Sequence, residues 1–120
     1  MNYFFDTYAL VEVVKGNPNY NRFSENSFVT TTLNASEFYY FLLSNLTENK
    51  VNEIFNKFNF SYIEIDEESA IEGAKFRKKN YKRDLSYADC LGYILAKKKG
   101  LNFLTGDEFF KDVENVEFVR

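Results

Sequence analysis

The stretch Asp84-Leu-Ser-Tyr-Ala-Asp-Cys-Leu-Gly-Tyr-Ile-Leu-Ala-Lys-Lys-Lys-Gly-Leu-Asn-Phe-Leu-Thr-Gly-Asp-Glu-Phe-Phe110 reads as a helix, a tight reversal and a buried strand that ends in an acid. Ser86, with Asp89 three residues later, has the spacing of a capping box, so the helix starts near Ser86. Lys97, Lys98 and Lys99 followed by Gly100 mark its end. Leu101-Asn-Phe-Leu-Thr105 is short and mostly apolar, as a buried strand requires, and Gly106-Asp107 breaks it before a new helical turn at Glu108-Phe-Phe110. Asp89 and Asp107 thus open consecutive helices. In a helix-strand-helix unit both can lie on one edge of a sheet, and that edge is the candidate site.

Working outward, residues 2–5 form an apolar run suited to a strand buried on both faces, closed by Asp6. Residues 7–15 read as a helix stopped by Gly16-Asn-Pro18, and 19–25 as a short helix. The β-branched run 28–31 predicts a strand. A helix over 34–46 follows, with Phe38, Phe41 and Leu42 on one face and Glu37 in its first turn. Residues 48–58 continue as a helix, 60–65 alternate as a strand, and Asp66 caps a helix over 67–80 whose acidic start and basic end match the helix dipole. The last strand is 116–119. Strands alternating with helices imply an α/β sandwich around a mainly parallel sheet, in one domain spanning residues 1–120. Right-handed crossovers then place the strand C-termini, with Asp6, Glu37 and Asp107, on one edge, which Asp89 can join.

Composition removes several chemistries. No His in 120 residues excludes Ser-His-Asp and Cys-His catalysis and most zinc or copper sites. The single Cys90 excludes an intramolecular disulfide and a multi-Cys zinc site. No apolar run approaches the ~18 residues of a membrane span. Asp6 and Glu12 stand where a signal peptide would be uncharged, so a reducing, cytoplasmic setting is expected. The net charge of −3 does not suit a simple cationic nucleic-acid binder, yet six of the 15 basic residues (Lys75, Arg77, Lys78, Lys79, Lys82, Arg83) crowd into 75–83. Lys97, Lys98 and Lys99 make a second group. Each group is either a solvated helix end or a phosphate-contacting patch.

Each of the four acids has a structural role available to it. Asp6 and Asp107 can cap helices, and Glu37 (after Asn34) and Asp89 (after Ser86) can complete capping boxes. Gathered on one edge they repel, and a pair at ~4 Å costs about 4 kcal/mol at an effective dielectric of 20. No Lys or Arg adjoins them in sequence. A divalent cation would neutralise the cluster, and all-oxygen ligation favours Mg²⁺ or Mn²⁺ over Zn²⁺. Glu12 and Asp84 are read as solvated, and Tyr39, Tyr40, Tyr81 and Tyr87 as either core aromatics or platforms for unpaired bases.

Phe4-Phe-Asp-Thr-Tyr-Ala-Leu10, Asn34-Ala-Ser-Glu-Phe38, Ser86-Tyr-Ala-Asp-Cys90 and Phe103-Leu-Thr-Gly-Asp-Glu-Phe109 resemble, in order and spacing, the four motifs of the PIN-domain family, in particular the VapC-type toxins of toxin-antitoxin pairs. The resemblance implies an α/β/α sandwich, a Mg²⁺- or Mn²⁺-dependent endoribonuclease, frequent homodimers and inhibition by a cognate antitoxin. It assigns Asp6, Glu37, Asp89 and Asp107 to the acidic set and Thr105 to an accessory hydroxyl, with Asp6 and Asp89 the most direct ligands. RNA maturation or quality control, and a non-catalytic PIN-like interaction or RNA-binding scaffold, are the alternatives. A flavodoxin-like phosphoacceptor domain fits less well, because the last strand here ends the chain at Arg120, with no Lys after it.

Overall fold

The structure, a computed structural model, describes residues 3–24 and 27–120. Asn2 of the expected first strand and Glu25 of the expected short helix lie outside the described residues.

Two parallel ladders carry the fold. In the larger, β4 (Asn102–Thr105) sits between β1 (Tyr3–Phe5) and β5 (Val116–Phe118), and in the smaller β2 (Phe28–Thr30) pairs with β3 (Phe60–Tyr62). β2 lies beside β1, where the Thr30 hydroxyl donates to the Phe5 carbonyl at 2.8 Å in place of a backbone ladder. The spatial order is therefore β3-β2-β1-β4-β5.

Side chains alternate along a strand, so each strand feeds both faces. Phe5 and Leu104 point into one core with Leu10, Phe38 and Val51; Phe4 and Phe103 point into a second with Cys90, Tyr93 and Phe110. Helices α1 (Thr7–Val14), α2 (Thr32–Leu43) and α3 (Glu48–Lys57) bury their apolar residues in the first core, and α5 (Tyr87–Lys98) buries its own in the second. α4 (Glu67–Lys79) packs along α5 and adds Phe76 to that core. Three layers result, as the alternating sequence predicts. Gly92 lets α5 approach the sheet, since a Cβ there would stand 2.8 Å from the Phe4 ring.

Several boundaries differ from the sequence expectation, α2 among them ending at Leu43 instead of residue 46. α2 begins at Thr32, not Asn34, because Thr31 leaves the strand to cap the helix, its side chain accepting from the Asn34 amide. β3 stops at Tyr62 instead of residue 65 because its partner β2 runs out at Thr30. The segment expected as a short helix is a 3-10 turn, Pro18–Phe23, capped by Asn17 with proline in its first turn. Two further 3-10 turns, Tyr81–Arg83 and Glu108–Phe110, precede α5 and follow β4.

Candidate metal centre

β1 is flanked by β2 on one side and β4 on the other, and the chain reaches them by crossovers in opposite directions. That makes the C-terminal end of β1 a topological switch point, the place where open parallel sheets form a crevice. Asp6 sits there, with 1% of its surface exposed. The Phe5–Leu104 register sets Asp6 beside Thr105, whose hydroxyl donates to Asp6 Oδ2 at 2.7 Å. The same hydroxyl oxygen accepts from the Asp107 amide at 3.1 Å, which ties the third strand-end acid to the first.

Asp6 is not the helix cap that its position suggests. Its side chain makes no capping hydrogen bond, and although the Thr7 amide lies close enough to favour the ionised form, Oδ1 is buried without a partner among the described residues. An unpartnered buried carboxylate oxygen is costly. Burial, then Asp89, pushes the Asp6 carboxyl well above the usual range; the Thr105 hydroxyl opposes them and Asp107 adds to them. The other three acids are partly exposed. Asp89 closes the expected capping box: its Oδ2 accepts from the Ser86 amide at 2.8 Å while Ser86 Oγ accepts from the Asp89 amide. Burial, with Glu37 and Asp107 nearby, nevertheless raises it to about 6 against the opposing Ser86 bonds. Asp107 accepts from the Phe109 amide at 3.1 Å and is a cap as well.

Glu37 departs from expectation. With α2 starting at Thr32 it lies in the second turn, not in a capping box, and its Oε1 accepts from the Thr7 hydroxyl at 2.8 Å. Asn34, fully buried, donates through Nδ2 to that Thr7 oxygen at 3.1 Å and accepts from the Thr31 hydroxyl at 2.6 Å. This chain of bonds links α1 to α2 and fixes where Glu37 sits. The sequence assigns no role to Thr7 and makes Asn34 only the capping partner of Glu37, a role the structure gives to Thr31. Their signal was position, one directly after the first acid and the other one helical turn before the second.

Asp89 and Asp107 thus act on Asp6, and Glu37 and Asp107 on Asp89, across a single sheet edge. Among the described residues, however, no three of them stand in an arrangement ready to grip an ion. The donor set is all oxygen, and Asp6 Oδ1 is a buried carboxyl oxygen with no hydrogen-bond partner among the described residues. These features fit a hard divalent cation. Glu12, expected to be solvated, is held instead: its side chain is 15% exposed and accepts from Asn17 Nδ2 at 2.8 Å. Asp84 is exposed, at a φ of 57°.

The two basic groups separate. α4 runs antiparallel to α5, so residues 75–83 end beside the acidic start of α5, and the Arg83 guanidinium lies over the Phe109 ring two residues past Asp107. Lys97 and Lys98 lie at the opposite end of α5. Lys97 pairs with Glu114 at 2.9 Å and Lys98 with Glu68 at 2.8 Å, so the structure gives both a bridging role at a distance from the acids. Within 75–83, Lys75 pairs with Glu72, and Arg77 Nε donates to the Leu85 carbonyl at 2.9 Å. Lys78, Lys79 and Lys82 are exposed and make no ion pair among the described residues. Of the four tyrosines, Tyr39 packs on Phe55 and bonds Asn52, whereas Tyr40, Tyr81 and Tyr87 are more than half exposed.

A family model described as PIN domain matches residues 3–116. This chain belongs to the PIN-domain family. Its fold is shared with a toxin-antitoxin complex from Klebsiella pneumoniae, with a TM-score of 0.67 and 16% identity over 96% of this chain and 95% of that one. It is shared equally with VapBC2 from Rickettsia felis, solved bound to a DNA fragment from its promoter, with a TM-score of 0.72 and 15% identity over 99% and 98%. No curated protein matches the chain. No helix among the described residues is long and apolar enough to cross a membrane.

Proposed function

We propose that this PIN domain is a Mg²⁺- or Mn²⁺-dependent endoribonuclease, the cytoplasmic toxin of a toxin-antitoxin pair that works as a homodimer and is restrained by a cognate antitoxin protein. The observation that carries the reading is Asp6: a carboxylate placed at the switch point, buried, held on one oxygen by Thr105 and open on the other, with acids as its charged neighbours. A purely structural residue at this position would be more stable as an apolar side chain. Asp6 and Asp89 would hold the ion most directly, with Asp107 and Glu37 completing its surroundings. When bound, the ion supplies the positive charge that polarises a phosphodiester, acidifies water and stabilises the leaving oxygen.

The chain's own residues do the positioning. Thr105 holds Asp6 Oδ2, the Ser86 amide holds Asp89 Oδ2, the Phe109 amide holds Asp107, and Thr7 with Asn34 aims Glu37. Lys78, Lys79, Lys82 and Arg83 bring phosphate-binding charge to the same edge, and Lys75 and Arg77 support them from α4. The toxin role draws on the shared fold of the two toxin-antitoxin structures, and RNA maturation is the alternative use of the same chemistry.

A non-catalytic scaffold is favoured by one observation, that Asp89 and Asp107 are both satisfied as caps. It leaves the open oxygen of Asp6 without a purpose. Incubating the protein with labelled single-stranded RNA in EDTA, Mg²⁺ and Mn²⁺ decides between them. Cleavage with either ion, absent in EDTA and absent in Asp6→Asn, is expected. An Asp6→Asn variant that cleaves at the parent rate, or a parent that never cleaves, would leave the scaffold standing.

A further inference from the structure

Where α4 ends, the chain turns through Tyr81–Arg83 and enters α5, enclosing a pocket of about 340 Å³ lined by Arg77, Lys78, Tyr81, Asp84, Leu85 and Tyr87. That volume is at the lower end of the roughly 300–1,000 Å³ of small-molecule sites. Its Tyr87 wall belongs to the first turn of α5, the turn that also carries Asp89.

The walls differ in firmness. Arg77 stacks on Tyr87 with its guanidinium carbon 4.3 Å from the ring centre, and its Nε is anchored on the Leu85 carbonyl. This side is fixed. Opposite, Tyr81 is 66% exposed and holds two lysine ammoniums only loosely, Lys78 at 5.6 Å and Lys82 at 5.7 Å. Those distances approach the ~6 Å limit of useful cation-ring attraction. A flat π-surface can displace either ammonium from the ring at little cost, and the released ammonium is then free for an anion. The Asp84 carboxylate at the rim repels phosphate and so directs it towards the lysines.

We infer that this pocket receives one unpaired nucleotide of a single-stranded RNA, its base stacked on Tyr81 against the fixed Arg77–Tyr87 wall and its phosphate on Lys78 and Lys82. The inference rests on the RNA-cleaving reading and adds a subsite that selects unpaired over paired strands beside the cleavage edge. Stacking on aromatic rings is tolerant of base identity, so the subsite reads strandedness before sequence.

The test is binding in EDTA, where no cleavage occurs, using a short oligoribonucleotide carrying a fluorescent adenine analogue. The parent is expected to bind the single strand more tightly than the matching duplex and to change the analogue's fluorescence. Tyr81→Ala is expected to lose roughly tenfold in affinity with the salt dependence intact, since stacking carries no counterion release, whereas Tyr81→Phe keeps the affinity. Tyr81 is exposed, so a melting temperature equal to the parent's shows the fold is intact. Parental affinity in Tyr81→Ala, or a duplex bound as tightly as the single strand, overturns the pocket. Cleavage with Mn²⁺ on the same proteins separates the two ideas. A parent that cleaves RNA while Tyr81→Ala binds normally loses only the subsite; a parent that binds RNA through Tyr81 but cleaves nothing loses only the nuclease.

Discussion

The Thr105 hydroxyl donates to Asp6 Oδ2 at 2.7 Å across a separation of 99 residues, both groups buried. One hydroxyl therefore serves two strand ends, because its oxygen also accepts from the Asp107 amide. Thr105→Val keeps the shape and strands both partners, which should cost about 1–3 kcal/mol by denaturant titration and lower RNA cleavage with it. Thr105→Ser, restoring the hydroxyl, should recover most of both. A valine variant as stable and active as the parent would remove Thr105 from the site.

Asp89 is a helix cap and a member of the acidic cluster at once, so its two roles can be separated by charge. Asp89→Asn keeps an oxygen for the Ser86 amide, and cap replacement of this kind costs at most ~1 kcal/mol. It also removes the repulsion from Glu37 and Asp107 that helps hold the carboxyl at about 6. The variant should melt at or above the parent temperature in EDTA, show little of the Mn²⁺-induced rise, and be inactive. Lower stability combined with full cleavage would confine Asp89 to capping.

The raised carboxyls give metal-free stability a definite sign. Asp6 and Asp89 both titrate above their unfolded value of 3.8, so between that pH and about 6 the folded chain holds protons that the unfolded chain has released. Stability then falls as pH rises through this window. Urea midpoints in EDTA should be higher at pH 5 than at pH 7.5. Saturating Mn²⁺ stabilises the ionised acids and should reverse the order by mass action. Equal midpoints in EDTA would mean that the acids do not strain the empty fold.

Charge removal should separate the two basic groups. Lys78→Ala with Lys82→Ala should flatten the salt dependence of RNA binding, by ~0.7 in the log-log slope for each phosphate that is no longer neutralised. Lys98→Ala should leave the slope unchanged, since that ammonium is engaged with Glu68, Asp66 and the Ser69 hydroxyl. A flattened slope in Lys98→Ala would return the far end of α5 to the RNA surface.

The sequence made legible what local chemistry dictates. Ser86 and Asp89 announce their capping box, Asp66 caps α4 as its spacing says, and Phe4-Phe5 reads as a strand buried on both faces. What it hid depends on partners. The alternation at 60–65 continues past Tyr62, but a strand ends where its neighbour ends, and periodicity carries no record of β2. Thr30-Thr31 looks like one β-branched run, though the first residue completes the strand and the second caps α2. Asp6 had the sequence signature of a cap and the surroundings of something else, because Thr105, which sets those surroundings, arrives from 99 residues away.

The break between the two ladders gives the edge unequal compliance. Asp6 and Asp107 belong to the three-stranded ladder and share one hydroxyl, while Glu37 rides on α2 behind the two-stranded one, tethered to the rest by the Thr30 and Thr7 hydroxyls. A two-stranded ladder is weak support by itself. Asp6 and Asp107 are therefore expected to move together and Glu37 to move independently of them. Amide exchange should record the asymmetry as faster opening in β2 and β3 than in β1 and β4.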